Sequence, residues 1–179
     1  SLGEPLFELP LSGWYWQVER TDNDFSDVVV GVSIDVLSAN PGQQMTFTVE
    51  PDREAIKGIA VQGARWIKDM TAQHPETEWE FQYSPESFTG TELEYAAEVV
   101  NAVLAVWQPQ TGQKVVINLP ATVESSTPNV YADMIEWMCA HIDHRDLVRI
   151  SLHTHNDRGC GVAAAELGVM AGADRVEQL

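Results

Sequence analysis

Cysteine is nearly absent from this 179-residue chain, which has only Cys139 and Cys160. Two thiols so far apart make no disulfide framework and no Cys-x-x-Cys pair for a metal or redox centre. Basic residues are scarce too: 10 Lys and Arg against 27 Asp and Glu give a formal charge of −17. A surface this negative repels phosphate backbones, which argues against nucleic acid as a partner. A small anion can still be held where a cation or a helix N-terminus reverses the local field. No apolar run approaches the ~20 residues of a membrane helix. Ser1 to Pro10 carries Glu4 and Glu8 and no basic residue, unlike a secretory signal. The expectation is a cytoplasmic protein with no membrane contact.

What is present suits a folded core, since 44% of the residues are hydrophobic. Two compositions meet in the chain. In residues 1–50, strand formers gather in Gly13–Val18, Asp27–Val36 and Gln44–Val49, with Asn40-Pro41-Gly42 as a turn signal between the last two. This segment reads as a small β-rich unit. From about residue 51 to 179 the pattern alternates. Helices are predicted over Asp52–Thr71, Thr91–Trp107, Asn129–Ile142 and Gly159–Ala171. Strands are predicted over Trp79–Ser84, Lys114–Leu119 and Leu147–His153, with a further one beginning at Arg175. The first helix should bury Ile56, Ile59, Ala60, Gly63, Ile67 and Met70. Thr91, followed by Glu94 three residues on, reads as a capping box for the second. Alternating strands and helices mean βαβ units and a parallel sheet, either doubly wound or closed as a barrel.

Polar residues cluster where the predicted strands end, and in α/β proteins the C-terminal strand ends carry the site. After the first comes Tyr83-Ser84-Pro85-Glu86-Ser87, and after the second Asn118-Leu119-Pro120-Ala121-Thr122-Val123-Glu124. After the third comes His153-Thr154-His155-Asn156-Asp157-Arg158. His153 and His155 are spaced i, i+2, which in a strand puts both rings on one face, close enough to share a cation. The plainer reading is two polar loop histidines bonded to their neighbours. Glu86 and Glu124 could act as acid, base or substrate contact, or be solvated loop carboxylates. Thr122 could donate to a substrate carboxylate or cap the turn. His74, His141 and His144 read as surface residues, Cys139 as a core thiol. Gly159-x-Gly161-x-x-Ala164 fits the loose dinucleotide pattern, with Glu177 at the distance of a ribose contact. Six polar residues separate the strand from the first glycine, which favours close helix–sheet packing through Ala163, Ala164 and Gly168 instead.

The wording of these segments resembles the 2-isopropylmalate synthase family. The carrying motifs are Phe81–Leu93, Asn118–Glu124, Thr127–Asp133, Ser151–Gly159 and Ala171–Glu177, together spanning residues ~52–177 in the family's order. The resemblance implies the second half of a (β/α)8 TIM barrel, about four βα units. It also implies a cytoplasmic transferase of leucine biosynthesis, an acyltransferase that condenses acetyl-CoA with 2-ketoisovalerate. By that resemblance His153 and His155 bind a divalent metal cation (Mg, Mn or Zn). Ser84, Thr122 and Asn118 hold the keto acid, and Glu86 is the catalytic carboxylate.

The family's Arg-Asp-Gly strand, whose aspartate is a further ligand, has no counterpart in this sequence. A whole barrel needs about 200 residues or more. The expectation is thus an incomplete barrel, inactive alone, that self-associates or forms a homo-oligomer through its open edge. Pro10–Val18 resembles, in contrast, the extracytoplasmic region of some bacterial sensor histidine kinases, so the chain could join two unrelated pieces.

Overall fold

A computed structural model of the chain describes residues 53–112 and 115–177, and the backbone of two short strands before them. Those two are β1, Trp14–Val18, and β2, Val29–Ile34, paired antiparallel. Both fall inside runs expected to be strands. The third such run, Gln44–Val49, lies outside the described residues.

The rest alternates as its periodicity requires: α1 (Arg53–Thr71), β3 (Glu80–Tyr83), α2 (Leu93–Trp107), β4 (Val115–Ala121), α3 (Pro128–His141), β5 (Val148–Thr154), α4 (Gly161–Met170) and β6 (Arg175–Val176). The sheet order is β1-β2-β3-β4-β5-β6, and every pair from β2 onward is parallel. A doubly wound sheet reverses its strand order at a switch point. Here the order never reverses, and neighbouring helices pack on one another in chain sequence. That is the wall of a (β/α)8 barrel, present in part.

The two faces of the sheet differ in chemistry. In β5 the alternate residues Val148, Ile150 and Leu152 are almost wholly buried. They join Val115, Ile117 and Leu119 of β4 and Val100, Val103 and Leu104 of α2 in one core. Burying each such side chain contributes about 1.5–3 kcal/mol, so this layer dominates the stability of the unit. The alternate positions Arg149, Ser151 and His153 face the other way, into what is the interior of a barrel. β4 is buried along its whole length, as a central parallel strand covered on both sides should be.

Three local expectations are corrected. On α1 the buried residues are Ala60, Gly63, Ala64, Ile67 and Thr71, whereas Ile59 is 39% exposed. The stripe is rotated because α2 docks there: Trp107 lies on it and donates its indole N–H to the Ala64 carbonyl at 3.0 Å. The capping box at Thr91 does not form. α2 begins at Leu93 after Glu92, with no side-chain cap, because the Thr91 hydroxyl donates back to the Ser87 carbonyl at 3.0 Å. That bond closes a short 3-10 turn over Phe88–Gly90, a local competitor that threonine often finds. On α4, Ala164 and Gly168 meet the sheet as expected, but Ala163 is exposed.

Candidate active site

The candidate residues converge because of register. Asn118 of β4 stands beside Ser151 of β5, Pro120 beside His153, and Ala121 beside Thr154. Gln82 of β3 stands beside Val116, and two residues on, the Asn118 amide donates to the Ser84 hydroxyl at 3.2 Å. Ser84, Asn118, Thr122, His153 and His155 thus lie at the same, C-terminal, rim of the sheet. His153 and His155 share a face, their ring centroids 5.1 Å apart and inclined at 43°. Both rings are half-buried.

Glu86 follows β3 and is half-buried. Its carboxylate accepts the Thr122 hydroxyl proton at 3.2 Å, bridging the loops after β3 and β4. Asn118 is 4% exposed, and its Oδ1 is buried with no partner among the described residues. A buried acceptor left unmatched costs free energy, so such atoms commonly mark where a water or ligand donor belongs. An open hollow of about 670 Å³ lies beside this rim, bordered by Thr154, Asn156, Gly161, Val162, Glu166 and Glu177.

Below the rim a polar network crosses the interior face. The Arg149 guanidinium pairs with Glu80 at 2.9 Å. Arg175 of β6 donates to Gln82 at 2.9 Å and to the Ser151 hydroxyl at 3.0 Å, and pairs with Glu177. The Glu177 carboxylate in turn lies 3.6 Å from His153 Nδ1. Sequence reasoning missed Glu80, Gln82, Arg149 and Arg175, and considered Glu177 only as a ribose contact. The signal was there: Glu80-x-Gln82-x-Ser84, Arg149-x-Ser151-x-His153 and Arg175-x-Glu177 are period-2 polar positions in otherwise apolar strands.

Glu124 differs from Glu86. It is 8% exposed, and both its oxygens accept backbone N–H groups, Oε1 from Cys160 at 3.1 Å and Oε2 from Arg158. The glycines after β5 serve packing. A Cβ on Gly161 would lie 2.6 Å from the His155 carbonyl oxygen, and one on Gly168 would lie 2.5 Å from Leu152 Cδ1. The dinucleotide reading loses its basis, since contact with the backbone just after β5 accounts for Gly161. His74, His141 and His144 are exposed, and Cys139 packs half-buried against the core.

Two imidazoles side by side suit a divalent cation as two ligands of its shell. Among the described residues no group of three or more His, Cys, Asp or Glu comes together as a metal cluster. Two such ligands are fewer than the roughly four to six that a divalent cation usually takes.

Such a rim, on a sequentially ordered parallel sheet, defines an α/β-barrel protein with a polar site at its C-terminal strand ends. The chain belongs to the HMGL-like family, whose model matches residues 25–178. It is 61% identical over 135 residues to a 2-isopropylmalate synthase of Alcanivorax borkumensis, which covers 75% of this chain and 24% of that protein. It is 63% identical over 126 residues to the 2-isopropylmalate synthase of Pseudomonas fluorescens SBW25, over 70% of this chain and 22% of that one. The protein of the same name from an Azoarcus species matches at 63% over 128 residues, 72% of this chain and 22% of its own length. The chain thus spans about a quarter of the length of these curated relatives. A Bacillus subtilis structure titled HMG-CoA lyase overlays with a TM-score of 0.48 at 16% identity, over 72% of this chain and 40% of that one. The family match begins at residue 25 and so includes β2. No described helix is long and apolar enough to cross a membrane.

Proposed function

We propose that this chain carries the keto-acid half of a 2-isopropylmalate synthase site, for condensing acetyl-CoA with 2-ketoisovalerate. The observation that carries the reading is the shared rim, where His153 and His155 face the same interior as Ser84, Asn118 and the Thr122–Glu86 pair. Similarity to proteins named 2-isopropylmalate synthase supports it.

His153 and His155 would hold a divalent cation (Mg, Mn or Zn), whose Lewis acidity would polarise the keto group. Ser84, Asn118 and Thr122 bind and orient the keto acid, which carries acceptors only, so the unmatched Asn118 Oδ1 is left to an ordered water. Glu86 takes a proton from the acetyl methyl group, with Thr122 keeping its carboxylate in place. The resulting enolate carbon bonds to the keto carbon, and the alkoxide takes a proton. Water then cleaves the thioester, releasing the coenzyme A thiol.

Because the described residues offer two ligands and no cluster of three, the chain by itself is expected to bind the cation weakly and to be inactive. The setting is cytoplasmic leucine biosynthesis, in a self-associated or homo-oligomeric protein.

The experiment is Mn²⁺ titration of the chain, with thiol release from acetyl-CoA and 2-ketoisovalerate measured alongside. Weak Mn²⁺ binding that disappears in His153→Ala and in His155→Ala is expected. Undiminished binding in the double variant overturns the site, and turnover by the chain alone overturns its inactivity.

A further inference from the structure

We infer that Glu124 is a positioning residue, whose buried carboxylate ties the loop after β4 to the turn after β5 and so holds His155 opposite Thr122. The inference deepens the reading above and rests on it in one respect, that His155 is a ligand.

Sheet pairing cannot do this work. The last paired residues of β4 and β5 are Ala121 and Thr154. Thr122 and His155 are each one residue past that point, where backbone register no longer fixes their spacing. The turn after β5 has its own internal bonds, Gly159 N–H to the Asn156 carbonyl at 3.2 Å and Gly161 N–H to Asn156 Oδ1 at 3.0 Å. These shape the turn but leave it unattached to β4.

Glu124 supplies the attachment. It lies two residues after Thr122, and its two oxygens take the N–H groups of Arg158 and Cys160. Arg158 returns the contact, its guanidinium donating to the Glu124 carbonyl at 2.9 Å and the Ser126 carbonyl at 3.2 Å. Burying a carboxylate is costly. Bonds from amides to an ionised acceptor offset that cost, and the site at the start of α4 adds the favourable end of the helix dipole. With both oxygens spent on the backbone, Glu124 is poorly placed to accept a substrate proton.

The test compares the full chain with Glu124→Gln and Glu124→Ala by amide hydrogen exchange and by Mn²⁺ titration. In Glu124→Ala the Arg158 and Cys160 amides should lose protection at least ~10-fold while those of Ile117 and Ile150 hold, and Mn²⁺ affinity should fall about 10-fold or more, the usual effect of losing an outer support to a ligand. Glu124→Gln keeps one acceptor oxygen and should restore part of both. Trp107→Phe, which loses a hydrogen bond far from the rim, should lower stability and leave Mn²⁺ affinity unchanged. Unchanged exchange at 158 and 160, or a uniform loss across the sheet, overturns the inference. So does Mn²⁺ affinity that falls equally in Trp107→Phe. If the unaltered chain binds no Mn²⁺, the cation reading fails by itself, and the exchange measurement still decides the tie.

Discussion

Gly161 opens α4 against the His155 carbonyl so closely that a Cβ there would stand 2.6 Å from the oxygen. The neighbour is backbone and cannot swing away. Gly161→Ala should therefore destabilise the unit by about 1–3 kcal/mol, more than the ~1 kcal/mol that alanine gains over glycine in a helix. Denaturant titration checks this, and a more stable variant would contradict the packing.

Asn118 is expected to separate stability from function. Its amide donates to Ser84, but its buried Oδ1 has no described partner. Asn118→Ala loses one hydrogen bond and also removes an unmatched acceptor, so it should cost under about 1.5 kcal/mol. In a full-length relative carrying the same change, thiol release should drop far more than folding does. A large loss of stability would make Asn118 structural instead.

Alkaline pH should unfold the protein. Burial holds the Tyr131 phenol well above its ordinary value of 10.0. Tyr83 is raised by burial too, with smaller contributions from Tyr95 and Glu86. Both stay neutral in the fold while the unfolded chain ionises. Their contribution to stability is thus complete below pH ~10 and is lost as pH rises from there towards the raised values. Phenolate absorbance should grow together with loss of helix signal. Full ionisation of the tyrosines in a still-folded chain would refute their burial.

Salt should stabilise. A formal charge of −17 sets acidic groups against one another. Raising ionic strength from about 0.1 M to about 1 M shortens the screening length from ~10 Å to ~3 Å. The urea midpoint should rise with sodium chloride, and a fall would mean that ion pairs such as Arg149–Glu80 outweigh the repulsion.

The βα alternation could be read directly because a helix and a strand leave different periods in the positions of apolar residues. Val115–Ile117 and the strand-end motifs were legible for that reason. The slip at α1 came from its partner: which side of a helix is buried depends on where α2 lands, and Ile59 loses to Ala64. At Thr91 a hydroxyl had two local acceptors to choose from, and the 3-10 turn took it. Glu86 and Glu124 look alike as loop carboxylates in the chain. Only their surroundings distinguish one bonded to a side chain from one bonded to two amides.

By itself the sequence determined the order of elements, the helical or strand period of each and the i, i+2 spacing of the two histidines, all of which depend on near neighbours. Tertiary structure alone decided the meeting of Ser84 with Asn118, of Glu86 with Thr122, and of Glu124 with the turn after β5. Those partners lie 34 to 36 residues apart, and parallel strand register is what brings such distant residues to one rim.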